Sequence, residues 1–266
     1  MKKLLSLTFA LLLSCQTAYS AVTFDDSNDI LTCGALSDSV MTENGTLTIS
    51  SWINPTAVGR IVARESSATV KVRMTFSLAA LAVNFVVAGS TALTRQTADS
   101  TIATSTWQHV VMTWDGSVTA TNVKFYINNV EPSYGTTTNG VTPTDNSADS
   151  ITIGAQPGPA NVLGGDVTEV AIFNRVLDRT EIAQLYGNGS VPKGLPANLD
   201  RTGLKAYWRM DEKASGTLAT GYSVMDWSNS RSHCVNAGSP VYASDPTTLP
   251  FRTMLFDETM YNATIY

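Results

Sequence analysis

Apolar and polar positions alternate with a period of two through most of the chain. In "GTLTISSWINP", Leu47, Ile49 and Ser51 share one face, and Thr46, Thr48, Ser50 and Trp52 share the other. That period belongs to a β-strand, whose successive side chains point to opposite faces. Asn54-Pro55 is expected to end this strand, because proline has no N–H for the ladder. "RIVARE", "TVKVRMTFSL", "LAVNFVVAG", "DSITIGAQ" and "LKAYWRMDE" read as further strands. "NVKFYINNVEP" sets Val123, Phe125 and Ile127 against Lys124, Tyr126 and Asn128. Asn128-Asn129 then tolerates the positive φ of a tight hairpin turn. "GGDVTEVAIFNRVL" is a longer strand, with Val167, Glu169, Ala171 and Phe173 opposite Thr168, Val170 and Ile172.

One segment has helical spacing. In "LDRTEIAQLYGNG", Asp178 is placed as an N-cap and Glu181 follows at the capping-box distance. Ile182, Leu185 and Tyr186 form one apolar face, and Gly187 or Gly189 can end the helix, which predicts a short helix over 178–187. Residues 187–203 are rich in Gly and Pro and read as a surface connection. Many short strands with one brief helix define an all-β fold, a two-layer β-sandwich with "GTTTNG" and "QPGPANVLGG" at its rims.

The stretch "STWQHVVMTWDGS" holds one of only two histidines. Val110, Met112 and Trp114 lie on one parity, and His109, Val111 and Thr113 on the other, before an Asp115-Gly116 turn. A strand apolar on both faces belongs inside a two-layer sandwich. His109 is expected to be hydrogen-bonded at a sheet face. A general base needs a nucleophile and an orienting group within reach, and neighbours on one strand do not supply them.

Composition narrows the class. The 266 residues are 43% hydrophobic and only 15% charged, with an abundance of Thr, Ser, Asn and Gly that suits an exported β protein. "MKKLLSLTFALLLSCQTAYSA" opens with Lys2 and Lys3, continues with the apolar run Leu4 to Leu13, and ends with Ala18 and Ser20. The run is too short to span a bilayer, and its small residues have signal-peptidase spacing. Residues 1–20 are expected to be a signal peptide, and 21–266 a single secreted or surface-displayed domain. Leu12-Leu13-Ser14-Cys15 resembles a lipobox, so acylation of Cys15 is the alternative. Loss of Lys2 and Lys3 takes the formal charge from −5 to −7. No Lys/Arg cluster stands out to serve nucleic acid, and no later run is apolar enough for a transmembrane helix. Cys33 and Cys234 remain as an even pair, which in an oxidising compartment suggests a disulfide, the alternative being two buried thiols.

Three pieces carry a resemblance to a known family. "WQHVVMTWDGS…VKFYINN" resembles the central hairpin of laminin G-like domains, in the concanavalin A-like lectin/glucanase superfamily. Asn128-Asn129 stands where that hairpin usually ends in Asp-Gly. "VTFDDSNDILTCGAL" resembles the opening strand, with Asp26 for a common glycine, and "GGDVTEVAIFNRVLDRTEIAQLY" the closing strand and helix. The resemblance implies a two-sheet antiparallel jelly-roll sandwich. "GLKAYWRMDEKASGT…VMDWSNSRSHCVNAGSP" is similar to a segment that often begins such domains. Residues 204–266 then either close the same sandwich, as in a circular permutation, or begin a truncated second domain. A Cys33–Cys234 disulfide favours the former.

The resemblance also implies sites. Such sandwiches often hold Ca²⁺ at a rim, and Asp25, Asp26, Asp29, Asp166 and Glu169 are the carboxylates expected there, although Thr168 stands where an acid is common. Glucanases of the superfamily use two carboxylates on one strand face. Asp211 and Glu212 are adjacent and, on a strand, would point to opposite faces, so no enzyme is expected. Glycan binding needs an exposed aromatic. Trp52, Trp107, Trp114 and Trp208 fall in or beside apolar strands, whereas Trp227, in the polar "VMDWSNSRS", is the candidate, unless it packs as an anchor for that loop. The expected function is a non-catalytic binding module for glycans or cell-surface polymers. The alternative is a self-assembling component of a fibre, surface layer or phage particle. In that case Phe251, Phe256 and Tyr261 of the C-terminal tail would pair with a neighbouring subunit in a homo-oligomer.

Overall fold

A computed structural model describes residues 20–34, 41, 45–65, 73–143, 149–189, 194–212 and 224–244. The signal-peptide reading, Cys15, and the tail residues Phe251, Phe256 and Tyr261 lie outside the described residues.

Seventeen strands, one α-helix and two short 3-10 helices make up the described elements. They are β1 (Ser20–Asp25), β2 (Ile30–Thr32), β3 (Leu47–Ala57), β4 (Arg60–Glu65), β5 (Arg73–Ala79), β6 (Ala82–Val87), β7 (Gly89–Thr91) and β8 (Leu93–Thr97). β9 (Gln108–Trp114), β10 (Lys124–Ile127), β11 (Tyr134–Thr138), β12 (Val141–Pro143), β13 (Ile151–Ile153) and β14 (Gly164–Phe173) follow. After α1 (Arg179–Tyr186) come β15 (Leu204–Trp208), β16 (Val235–Ala237) and β17 (Val241–Ser244). All pair antiparallel. One sheet has seven strands in the order β10-β9-β3-β14-β1-β17, with β15 also on β14. The other has eight, in the order β11-β8-β6-β5-β4-β13-β2-β16, and β12 and β7 form a two-stranded ribbon.

The inner faces of the two large sheets bury one core. Val110, Met112 and Trp114 of β9 meet Val83, Phe85 and Val87 of β6 in it. A second cluster lies outside the seven-stranded sheet, where Val111, Ala171, Phe173 and Tyr207 pack beneath Ile182 and Leu185 of α1. This explains why β9 is apolar on both faces. The helix starts where expected, with a complete Asp178–Glu181 capping box, and Gly187 ends it at φ +59°. Asn128 and Asn129 both take positive φ, 49° and 63°, between the paired Ile127 and Val130.

Two local readings are corrected. β3 does not stop at Asn54-Pro55 but runs to Ala57. A register shift opposite Gly165 takes in the missing N–H, and a Cβ on Gly165 would lie 2.3 Å from the Asn54 carbonyl. The alternation of β14 also breaks. A bulge between Thr168 and Ala171 holds Glu169 at φ 54°, so Val167 and Val170 both enter the core. β1 pairs with β14 before the bulge and β15 pairs with it afterwards, on the same side.

The described strands from residue 204 onwards are hydrogen-bonded into both large sheets. β15 joins β14, β17 joins β1, and β16 joins β2. The Cys33–Cys234 disulfide closes over a sequence separation of 201. Both cysteines are fully buried.

Candidate functional site

The best-defined exposed cluster comes from the segment that follows β15. Trp208 is fully buried, and its indole N–H donates to the Ser232 carbonyl at 2.9 Å. The next turn is built on the buried Asp226. Its Oδ1 accepts from the backbone N–H of Tyr207 (3.0 Å) and Ser228 (2.8 Å), and its Oδ2 from that of Ser232 (2.8 Å). The Asp226 N–H donates to His233 Nδ1 at 2.9 Å. Ser232 also donates its hydroxyl to the Cys33 carbonyl beside the disulfide. The loop is therefore pinned at several points, none of which is the Trp227 side chain.

Trp227 is held at its backbone, N–H to the Tyr207 carbonyl at 2.8 Å, while its side chain stays outside and 56% of the residue is exposed. The Arg209 guanidinium lies 5.5 Å from the ring centroid. The indole N–H donates to Glu212 Oε1 at 3.4 Å. That oxygen also accepts from the Met225 N–H at 3.0 Å, and Oε2 accepts from the Tyr242 hydroxyl at 3.2 Å. Burial pushes the Glu212 carboxyl above the usual range. Arg209 pairs with Asp211 at 2.5 Å, and Met225 is 44% exposed. Trp227 is thus an oriented ring open to solvent, not the packed anchor of its loop.

Asp211 and Glu212 lie beyond the end of β15, after Met210 at φ 59°, so strand alternation does not apply to them. One holds Arg209 and the other the indole. Sequence alone considered these acids only as a catalytic pair. The Glu212 bond to Trp227 crosses 15 residues and has no local signal.

The other tryptophans named as core candidates divide by burial. Trp52 and Trp114 are nearly inaccessible, and Trp107 is partly exposed. His109 is architecture. Its Nε2 lies 2.8 Å from Ser50 Oγ, and the rings of His109, Trp52 and Tyr186 form a triangle with centroids 5.3, 6.0 and 5.9 Å apart. Burial lowers its pKa to about 3, so it is neutral. Among the described residues, His109 Nδ1 and Trp52 Nε1 find no hydrogen-bond partner. A small cavity beneath the Gly194–Pro196 segment is lined by Ser50, Trp52, His109 and Glu169.

A polar row crosses the eight-stranded sheet, and only the register reveals it. Arg60, Ser77, Asn84 and Gln96 are direct partners on β4, β5, β6 and β8. Arg60 pairs with Glu65 at 3.2 Å and reaches Gln156 at 3.4 Å.

The five carboxylates expected at a calcium site are not brought together. Asp25 Oδ1 accepts from the N–H groups of Ser27 and Asn28, and Asp26 is exposed at φ 61°. Asp29 is buried and accepts from the N–H groups of Asp25 and Ser239. Burial, with Asp25 nearby, raises its carboxyl. Asp166 is taken up by Thr23 (2.6 Å) and Asn54 (3.0 Å). The bulge turns Glu169 to the Tyr207 hydroxyl and the Gly194 N–H. Thr168 donates to the Arg209 carbonyl. Among the described residues no group of three or more His, Cys, Asp or Glu side chains is placed to hold a metal, so these residues do not fit one Ca²⁺ shell.

The fold is a two-sheet antiparallel sandwich with a half-exposed tryptophan on the loop between β15 and β16. A laminin G-type family model of the concanavalin A-like lectin/glucanases superfamily matches residues 24–183, and the chain belongs to that superfamily. The match ends before the segment that carries Trp227. No curated protein sequence matches. Among solved structures, the chain is similar to a protein of Bacteroides ovatus proposed to bind carbohydrate. That likeness has TM-score 0.56 and 16% identity over 86% of this chain, which spans 61% of that protein's length. It is also similar to a carbohydrate-binding module, CBM40, of a Ruminococcus gnavus sialidase bound to α2,3-sialyllactose, with TM-score 0.47 and 11% identity over 62% of this chain and 97% of the other. A heptameric pentraxin of Limulus polyphemus gives TM-score 0.47 and 15% identity over 66% of this chain and 85% of the other. At these identities the likeness is one of fold.

Proposed function

We propose that the protein is a secreted or surface-displayed, non-catalytic module that binds glycans through Trp227. The observation that carries this reading is the exposed indole on a loop already fixed by Asp226, Trp208 and the disulfide. An apolar ring left in water on a rigid support makes a ready surface for the C–H face of a sugar. The disulfide supports an oxidising compartment. The Bacteroides ovatus protein, proposed to bind carbohydrate, supports the ligand class. Binding rather than hydrolysis fits the site, because Asp211 and Glu212 are engaged with Arg209 and Trp227 and do not face each other across a cleft. The test is retardation of residues 21–266 in gels cast with polysaccharides. Trp227→Ala should abolish it without loss of folding, and undiminished retardation would sink the assignment.

A second reading, assembly into a homo-oligomer, is favoured by the edge strand β11, where Gly135–Thr138 is exposed and uncharged. Such an edge offers unpaired backbone groups to another chain. Light scattering decides it, since a monomer at every concentration excludes assembly.

A further inference from the structure

The groups around Trp227 restrict which sugars it can hold. The indole has one donor, and Glu212 takes it at 3.4 Å. What the ring offers a ligand is its face. Glu212 and Asp211 are the acidic groups beside it, and an ionised carboxylate only accepts hydrogen bonds. They suit a ligand rich in hydroxyl donors. The cation that an acidic sugar would seek is Arg209. Its guanidinium is already bound to Asp211 at 2.5 Å and stacked 5.5 Å from the Trp227 centroid. Among the described residues that contact the ring or its partners, two carboxylates therefore face one cation, and that cation is already paired. An incoming carboxylate or sulfate would meet Asp211 and Glu212, with the charge of Arg209 already balanced by Asp211.

We infer that the Trp227 platform selects uncharged pyranosides and rejects acidic ones, with Asp211 and Glu212 as the specificity-determining residues. The inference rests on the glycan-binding reading and goes further by naming the sugar class. Asp211 acts twice. It contributes negative charge, and it keeps Arg209 from serving as an anion receptor. Glu212 fixes the plane of the ring and adds a second negative charge.

The test uses residues 21–266 with the disulfide intact, on a glycan array of neutral and acidic members. It includes matched pairs that differ only in charge, such as polygalacturonate with its fully methyl-esterified form, and sialylated with desialylated lactose glycans. The expected result is neutral members bound about tenfold or more tightly than their acidic counterparts, with binding lost in Trp227→Ala. Asp211→Asn frees Arg209 and should narrow the neutral-to-acidic affinity ratio by about three- to tenfold. Glu212→Gln, which keeps an acceptor for the indole, should narrow it by less. Both variants are checked by near-ultraviolet circular dichroism before use. Acidic members bound as well as neutral ones, with binding still lost in Trp227→Ala, would overturn the selectivity and leave the platform standing. A ratio unmoved in both folded variants would overturn the role of the acids. Binding untouched by Trp227→Ala, or no binding to any member, would defeat the glycan-binding site itself and this inference with it.

Discussion

Two clusters in this molecule each centre on an aromatic ring, one covered and one open. Around His109 stand a tryptophan, a tyrosine and a serine hydroxyl. Around Trp227 stand the Arg209 guanidinium and the Glu212 carboxylate. In the first, α1 lies over the sheet, Trp52 is nearly inaccessible, and His109 is driven neutral. In the second Trp227 stays 56% exposed, with the Arg209 guanidinium over its ring and Glu212 at its indole N–H. What distinguishes them is whether an element packs across the cluster, and α1 packs across only one.

Four experiments test that contrast, beginning with the greatest change. Replacing both Cys33 and Cys234 by serine removes a link across 201 residues and should cost about 5 kcal/mol on the chain-entropy argument. The Trp227 loop should loosen first, because Ser232 and Cys234 hold it. Denaturant titration with hydrogen exchange reads both effects, and uniform loosening would refute the order. Next, Trp52→Ala should destabilise by about 3–5 kcal/mol, as large truncations in a packed core do. Trp227→Ala should stay within about 0.5 kcal/mol, as changes at exposed positions do. Similar urea midpoints for the two would erase the contrast.

The third experiment is pH. His109 titrates at about 3 in the folded state against an ordinary 6.5, so the unfolded chain binds the proton that the native chain refuses. The stability is complete above pH 6.5 and is lost as pH falls from 6.5 towards 3, by about 1.4 kcal/mol per unit. His109→Gln should remove that slope between pH 6.5 and 5. A wild-type slope retained in the variant would place the titration elsewhere. The smallest effect is that of calcium. Because Asp29, Asp166 and Glu169 already have protein donors, millimolar Ca²⁺ should move the melting temperature by less than about 1 °C. A rise of several degrees would restore a rim site.

Much of the fold was legible because it follows from local chemistry. The alternation in β3 and β9, the Asp178–Glu181 box and the paired asparagines each state their structure within a few residues. The short strands β7, β11 and β12 were not legible, since Gly- and Thr-rich stretches pair only once neighbouring strands offer them an edge. The bulge at Glu169 was hidden for a different reason. A glutamate at positive φ breaks local preference, and only the change of partner from β1 to β15 accounts for its position. The exposure of Trp227 could be read from its polar surroundings. Its neighbours Arg209 and Glu212 could not, because the contacts depend on how the chain returns to β15.

The disulfide has a mechanical consequence. A module displayed on a surface and pulled by its ligand carries load along its backbone. Between Ser20 and Ser244 the Cys33–Cys234 bond short-circuits the chain, leaving only the residues outside the loop to pay out. Stretched fully, those flanks add roughly 80 Å, whereas the reduced chain could lengthen to several hundred ångströms. The oxidised protein is a short tether with a hard stop, and most of its sandwich never bears the tension.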